Sequence, residues 1–239
     1  MPLNGRAFVV LLAAVAGVVL TARLGVWQLD RAAQKTALQQ ALDQRRELPA
    51  LTAAELTRDA ATAPAQHYRR VVVDGHWLAE RTLYLDNRQM NGRVGFYVVT
   101  PLRLADDSVV LVQRGWQPRD QLDRSRVNAP PTPVGLVRLV GRVGPAPARL
   151  YEFDAAASGV IRQNIELTAY AHETALPLRP LTIVQEDAAA GTDDGLLRQW
   201  PRPAAGVDKN HGYAFQWFAL ATLILGLYVW FQLLRPRRR

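Results

Sequence analysis

The sequence predicts a membrane protein: two transmembrane α-helices, N- and C-terminal, flanking an α+β, mainly antiparallel β, extracytoplasmic domain. Three observations predict it. Residues 7–29 and 211–234 are each apolar over about the twenty residues that a bilayer crossing needs. Residues 30–210 between them break into short runs rich in Val, Leu and aromatics, fenced by Pro and Gly clusters. That middle segment also holds all 21 acidic residues, whereas six basic ones (Arg6, Arg23, Arg235, Arg237, Arg238 and Arg239) lie outside it.

Ala7 to Ala22 is an unbroken apolar or small run, and after Arg23 the pattern resumes to Leu29. Ala14-Val15-Ala16 resembles a signal-peptide cleavage site, but the apolar pattern continues beyond the length a signal requires, so an uncleaved anchor is expected. Arg23, one turn before Trp27, is placed to snorkel to the outer interface. From Asp30 to Glu47 the chain lacks Gly and Pro and reads as a continuation of the same helix, closed by Pro49. Thr52-Ala53-Ala54-Glu55 is a capping box opening a short second helix that ends before Pro64.

Strands are expected from Tyr68 through Trp77, Thr82 through Arg88, Val94 to Leu104, Val109 to Trp116, Val134 to Val143 and Leu181 to Gln185. Asn91-Gly92 supplies a hairpin turn, and Ala105-Asp106-Asp107-Ser108 another turn. Their spacing predicts an antiparallel sheet or small open barrel, with a short helix near Leu167 to Thr174. Ala188 to Gly195, small and acidic, predicts a mobile loop. The second crossing, 211–234, is followed by the basic tail 235–239.

Charge sets orientation and narrows function. Residues 30–210 carry 23 basic against 21 acidic residues, so the net charge of +8 resides mainly at the ends and nucleic acid is a poor explanation of it. Positive flanks remain in the cytoplasm, so both termini are expected there, with the main domain in a periplasm. The absence of cysteine excludes disulfides, thiol chemistry and C-x-x-C-H haem attachment. With Met1 and Met90 the only methionines, soft copper ligands are lacking as well. The three serines, Ser108, Ser125 and Ser158, occupy no Gly-x-Ser-x-Gly elbow, which argues against an outward-facing hydrolase on a membrane tether, and no enzyme is expected.

His211 at the mouth of the second crossing is the leading candidate residue, because ionisable groups at membrane helices are costly. An ordinary interfacial histidine is the competing reading, and the cost at the interface is modest. Arg23, Trp27 and Arg31 recur every four residues on one face of the first helix; an interfacial belt of Trp and snorkelling Arg accounts for them equally. Gln28 and Gln216 are candidates for bonding across a helix pair, and Ala219, Thr222 and Gly226, with Ala13 and Gly17, for close packing. Arg114-Gly115-Trp116, at a strand end, reads either as a partner-binding surface or as a cation stacked on an indole. His67, His76 and His172 show no metal-ligand spacing.

Six blocks in order resemble the Surfeit locus protein one family, the assembly factors of haem–copper cytochrome c oxidase. They are Leu24-Gly25-Val26-Trp27-Gln28-Leu29-Asp30-Arg31, Gly75-His76-Trp77, Asp86-Asn87-Arg88 with Gly95 through Leu102, Leu111 through Pro118, Gln163-Asn164-Ile165, and His211 through Phe218. Gln113 and Gln117 depart slightly from the family pattern. The resemblance implies a protein of the bacterial inner membrane that assists insertion of haem a into oxidase subunit one. Its implied partners are that subunit, membrane lipid and, as a further candidate, haem a synthase. His211 matches the family's haem-linked histidine and becomes the candidate axial ligand. Arg23 and Arg31 are then candidates for the haem propionates, and Trp27 and Trp217 for covering the ring. A scaffold that holds the subunit without binding haem is the alternative.

Overall fold

The computed structural model describes residues 5–120, 122–123, 126–151, 159–186, 194–201 and 206–235. The chain divides into two units. One contains the first helix as far as Ala41 together with the C-terminal helix; the other spans Leu42–Pro201.

Helix α1, most of which belongs to the first unit, is continuous over Gly5–Glu47, 43 residues and about 65 Å at 1.5 Å per residue. No proline interrupts it, and from Asp30 to Glu47 it lacks glycine as well. Arg45 and Arg46 in its last turn complement the helix dipole, and the chain leaves it just before Pro49. Helix α4, Val207–Tyr228, starts after Gly206, whose φ of 89° suits a residue without Cβ. It runs into a π-helical turn, Val229–Leu234, that ends with Arg235 N–H donating to Trp230 O.

The two helices pair antiparallel. Asn210, in the first turns of α4, donates to Gln28 Oε1 at 2.7 Å and accepts from Lys35 Nζ at 2.8 Å. Further along, the Phe218 ring lies directly against Gly25, and Ile224 against Gly17. Thr21 is buried in the same stripe, its hydroxyl bonded to Gly17 O, as are Ala214 and Ala221 of α4. Gln28 does bond across the pair, but to Asn210 and not to Gln216, which is exposed. Ala219, Thr222 and Gly226 are exposed, so the expected packing stripe is corrected to Ala214, Phe218 and Ala221. Phe218 fits because the missing side chain of Gly25 leaves room for its ring.

The second unit is built on seven strands: β1 Arg70–Trp77, β2 Leu83–Met90, β3 Arg93–Leu104, β4 Val109–Pro118, β5 Leu136–Gly144, β6 Ile161–Arg162 and β7 Leu178–Gln185. Their order is β1-β5-β7-β4-β3-β2-β6, and β1 also pairs with β3. The five strands β1, β5, β7, β4 and β3 therefore close on themselves. β3 makes this possible by dividing one edge: its first half, to Val99, pairs with β2, while Leu102–Leu104 pairs with β1. The expectation of a mainly antiparallel sheet is corrected to a mixed one, because β4–β7 and β2–β6 are parallel. A crossover carrying β5, β6 and helix α3 (Leu167–Thr174) separates β4 from β7 and returns the chain in the same direction.

Alternate residues point into the ring. Val71, Val73, Leu102, Val112, Leu139 and Ile183 form its core, each contributing about 1.5–3 kcal/mol by burial. α3 covers the outer face through Tyr170 and Leu167, which pack on Leu85, Val99 and Leu111. The capping box at Thr52 is present, with Glu55 accepting from Thr52 N–H, but it opens only a 3-10 turn, Ala53–Glu55. Pro64 does not end a helix; it lies in the first turn of α2, Ala63–Gln66, where its missing N–H costs nothing. Most of the predicted mobile loop, residues 188–193, lies outside the described residues, whereas Asp194 is buried.

Candidate functional site

His211 sits in the second turn of α4, exposed, immediately after the Asn210 that ties α4 to Gln28 and Lys35. Tyr213 and Phe215 are exposed beside it, 52% and 74%, and Trp217 is half-buried. Arg23, Trp27 and Arg31 are all exposed as well, on a face of α1 away from the Gly17–Thr21–Gly25–Gln28 stripe that meets α4. The helix pairing thus fixes the backbone at His211 while leaving its imidazole open. It does not place Arg23, Trp27 or Arg31 in the seam between the helices. Among the described residues no group of three or more His, Asp or Glu side chains is arranged to hold a metal ion.

A second constellation lies within the Leu42–Pro201 unit. Asp86-Asn87 is a bulge in β2: two residues oppose one of β3, and Asn87 adopts φ 59°. The bulge turns Arg88 inward. Its Nη1 donates to Ala148 O at 2.6 Å and its Nη2 to Gln163 O at 2.7 Å, with the guanidinium 5.7 Å from the Tyr97 ring. Trp116, fully buried, donates from Nε1 to Arg88 O at 2.9 Å. Asn164 clamps Leu150 through both its N–H and its carbonyl.

Arg114 is the extra residue of a second bulge, since Val98 pairs with Gly115 and Val99 with Gln113. It is 2% exposed. Its guanidinium stacks over Trp77 at 4.8 Å, donates to Thr132 Oγ1 and Pro131 O, and lies 3.6 Å from Asp194. Arg198 pairs with the same carboxylate. Burial lowers the pKa of both Arg88 and Arg114 from the usual guanidinium range, the nearby Asp194 opposing that shift at Arg114. The stacking expectation holds for Arg114, but on Trp77 and not Trp116; Trp116 receives Arg93 instead, at 5.9 Å. Neither Arg114 nor Trp116 presents a side chain to a partner, because both lie inside the domain.

Asn210 and Asp194 are the residues that pattern reading misses. A lone Asn before a histidine carries no periodic signal, and Asp194 sits at the end of a segment that composition marks as loop.

The family model described as the SURF1 family matches residues 15–222. The chain belongs to this family. Among SURF1-like proteins, that of Rickettsia bellii (strain RML369-C) is 26% identical over 219 residues, covering 88% of this chain and 85% of its own. That of Rickettsia conorii (strain ATCC VR-613 / Malish 7) is 28% identical over 214 residues, covering 86% and 84%. The cytochrome oxidase assembly protein SHY1 of Saccharomyces cerevisiae is 30% identical over 104 residues, 41% of this chain and 25% of its own. In this SURF1-family chain the blocks containing Arg88, Trp116 and Gln163 meet inside the domain, whereas His211 itself is exposed on the helix pair.

Proposed function

We propose that this chain is a membrane-anchored assembly factor for a haem–copper cytochrome c oxidase, assisting the insertion of haem a into oxidase subunit one. Membership of the SURF1 family and similarity to an oxidase assembly protein of yeast support the assembly role. The observation that carries membrane insertion is the bareness of the helices: their most apolar windows are only 6% and 11% buried, unlike the core helix of a soluble domain. On this reading residues 7–29 and 211–234 cross the inner membrane, both termini are cytoplasmic, 235–239 is a cytoplasmic tail and 30–210 is periplasmic. The chain acts by binding and presenting, with no catalytic step of its own.

The residues around His211 fit haem held from one side. The imidazole is exposed and no protein group bonds to it among the described residues, so its nitrogen is available as a donor. Exposed Tyr213 and Phe215 and half-buried Trp217 flank it on α4. Imidazole is an ordinary axial donor to haem iron. One such donor on an open helix face holds a group loosely enough to release it, while Asn210 keeps the histidine-bearing turn fixed against α1. Trp27, Arg23 and Arg31 would cover the ring or meet propionates from outside the seam.

Protein purified from cells that synthesise haem a should show a haem a visible spectrum, and His211→Ala should lose it. A colourless wild type, or an unchanged spectrum in the variant, defeats the ligation and leaves the scaffold reading, which the open setting of His211 also suits. A deletion strain should yield oxidase depleted in haem a; fully loaded, active oxidase would refute the maturation role itself.

A further inference from the structure

Beside α3 lies a groove of about 670 Å³, within the range of small-molecule sites. Its walls include Leu167, Tyr170, Leu178, Pro147 and Arg149. The polar groups that line it are already committed. Arg162 spends its guanidinium on Glu173 and Gly159 O. Arg179 spends its own on Ser108, Asp106 and Leu56 O. Glu166 turns both carboxylate oxygens to the N–H groups of Thr168 and Ala169, and the Tyr170 hydroxyl donates to Arg81 O. An occupant therefore meets apolar surface with few unmet hydrogen bonds.

Arg149 is the exception. It is exposed, with no hydrogen bond or ion pair among the described residues, and feels Glu166 only through its field. Yet its backbone is fixed on both sides, at Ala148 O by Arg88 and at Leu150 by Asn164. A cation whose donors meet no partner among the described residues, on a strap held at both neighbouring residues and at the rim of an apolar groove, is placed for an anion.

We propose that this groove binds a single-chain amphiphile with an anionic head group, its chain along Leu167, Tyr170, Leu178 and Pro147 and its head at Arg149. The proposal stands apart from the oxidase role.

The test is photolabelling of the full chain in lipid nanodiscs with a diazirine-bearing hexadecanoic acid, with its methyl ester as the neutral arm. Competition by unlabelled palmitate and by lysophosphatidic acid distinguishes a carboxylate from a phosphate source. Expected is saturable label on Leu167–Ala171 and Pro147–Arg149, with the ester needing about tenfold or more higher concentration, as a charge-assisted contact implies. Arg149→Ala should erase that preference. Ala169→Trp, at an exposed groove position, should suppress labelling without changing the melting temperature. Label confined to α1 and α4, equal labelling by acid and ester, or a labelled A169W variant like the wild type would each overturn the proposal.

Discussion

Replacing Arg88 by Met tests whether the buried meeting point of the family blocks holds the domain together. Methionine keeps most of the stem's volume but removes both guanidinium hydrogen bonds, leaving the carbonyls of Ala148 and Gln163 without those donors. Each hydrogen bond from a charged donor contributes about 1.5–3 kcal/mol. The lost contact with Tyr97 adds about 0.5–1 kcal/mol. Opposing these is relief from burying a cation that is only 5% exposed, about 1–4 kcal/mol. Against about 3.5–7 kcal/mol lost, this leaves a net loss of about 3 kcal/mol at mid-range. For a domain the size of Leu42–Pro201, each kcal/mol moves the midpoint by about 2–4 °C, so the variant should melt roughly 6–12 °C lower. Tryptophan fluorescence of the full chain in nanodiscs follows this transition through Trp116. Hydrogen exchange at Leu150 should rise in parallel, because Arg88 anchors the strap at Ala148. Arg88→Lys should fall between, and Arg93→Met, which removes only an exposed cation over Trp116, should cost under about 1 kcal/mol. A midpoint for R88M within about 2 °C of the wild type, with unchanged exchange at Leu150, would refute the argument.

Asp106 accepts from Ser108 Oγ and N–H, Arg179 and Arg58, which holds its pKa at about 2, with the Ser108 hydroxyl bond the largest cause. A depressed folded-state pKa contributes stability above the ordinary carboxylate range, lost as pH falls towards about 2, so acid denaturation between about pH 4 and pH 2 should be shallower in Asp106→Asn. Gly95→Ala should prevent folding, because the new Cβ would overlap Gln117 O and lie 2.6 Å from the Trp116 ring; recovery of a native melt would contradict this packing. Gly25→Leu should separate the helix pair, since even a Cβ there meets the Phe218 ring at 2.8 Å, and Phe218→Ala in the same chain should restore it, as read by protease resistance of α4.

Most elements of the Leu42–Pro201 unit are legible in the sequence because its signals are local. β1 through β5 follow from alternation and from turn residues such as Asn91-Gly92, both at positive φ in the structure, and α3 from its own helix formers. Strand direction is not local. The alternation of Leu181, Ile183 and Gln185 is the same whether β7 lies parallel or antiparallel to β4, and the length of the crossover decides which. β6, only two residues long, is too short for any periodic signal. Arg88 and Arg114 look like exposed strand-end cations until their bulges are known, since one extra residue changes the direction in which a side chain points. At the candidate site, His211 was visible as an ionisable residue at a helix mouth, whereas its fixing through Asn210, Gln28 and Lys35 depends on residues 182 and 175 positions apart.

This division bears on where function should be sought. A family block whose side chains are buried has a sufficient explanation in the fold: Trp116 is needed to occupy its space and to bond Arg88 O, and Asn164 to hold Leu150. Such residues, when altered, should act through stability, and their effects on oxidase maturation should track the amount of folded protein. The block from His211 to Phe218 divides differently. Phe218 fills the space over Gly25 and Ala214 is buried, but His211, Tyr213 and Phe215 are exposed and contribute nothing to the packing of the pair. Exposed aromatics and an imidazole without a bonding partner among the described residues, at a fixed helix turn, are better explained by something they contact than by the fold that carries them. On the proposed haem role, H211A should therefore leave folding and helix pairing intact while removing the haem spectrum, a separation that R88M cannot produce.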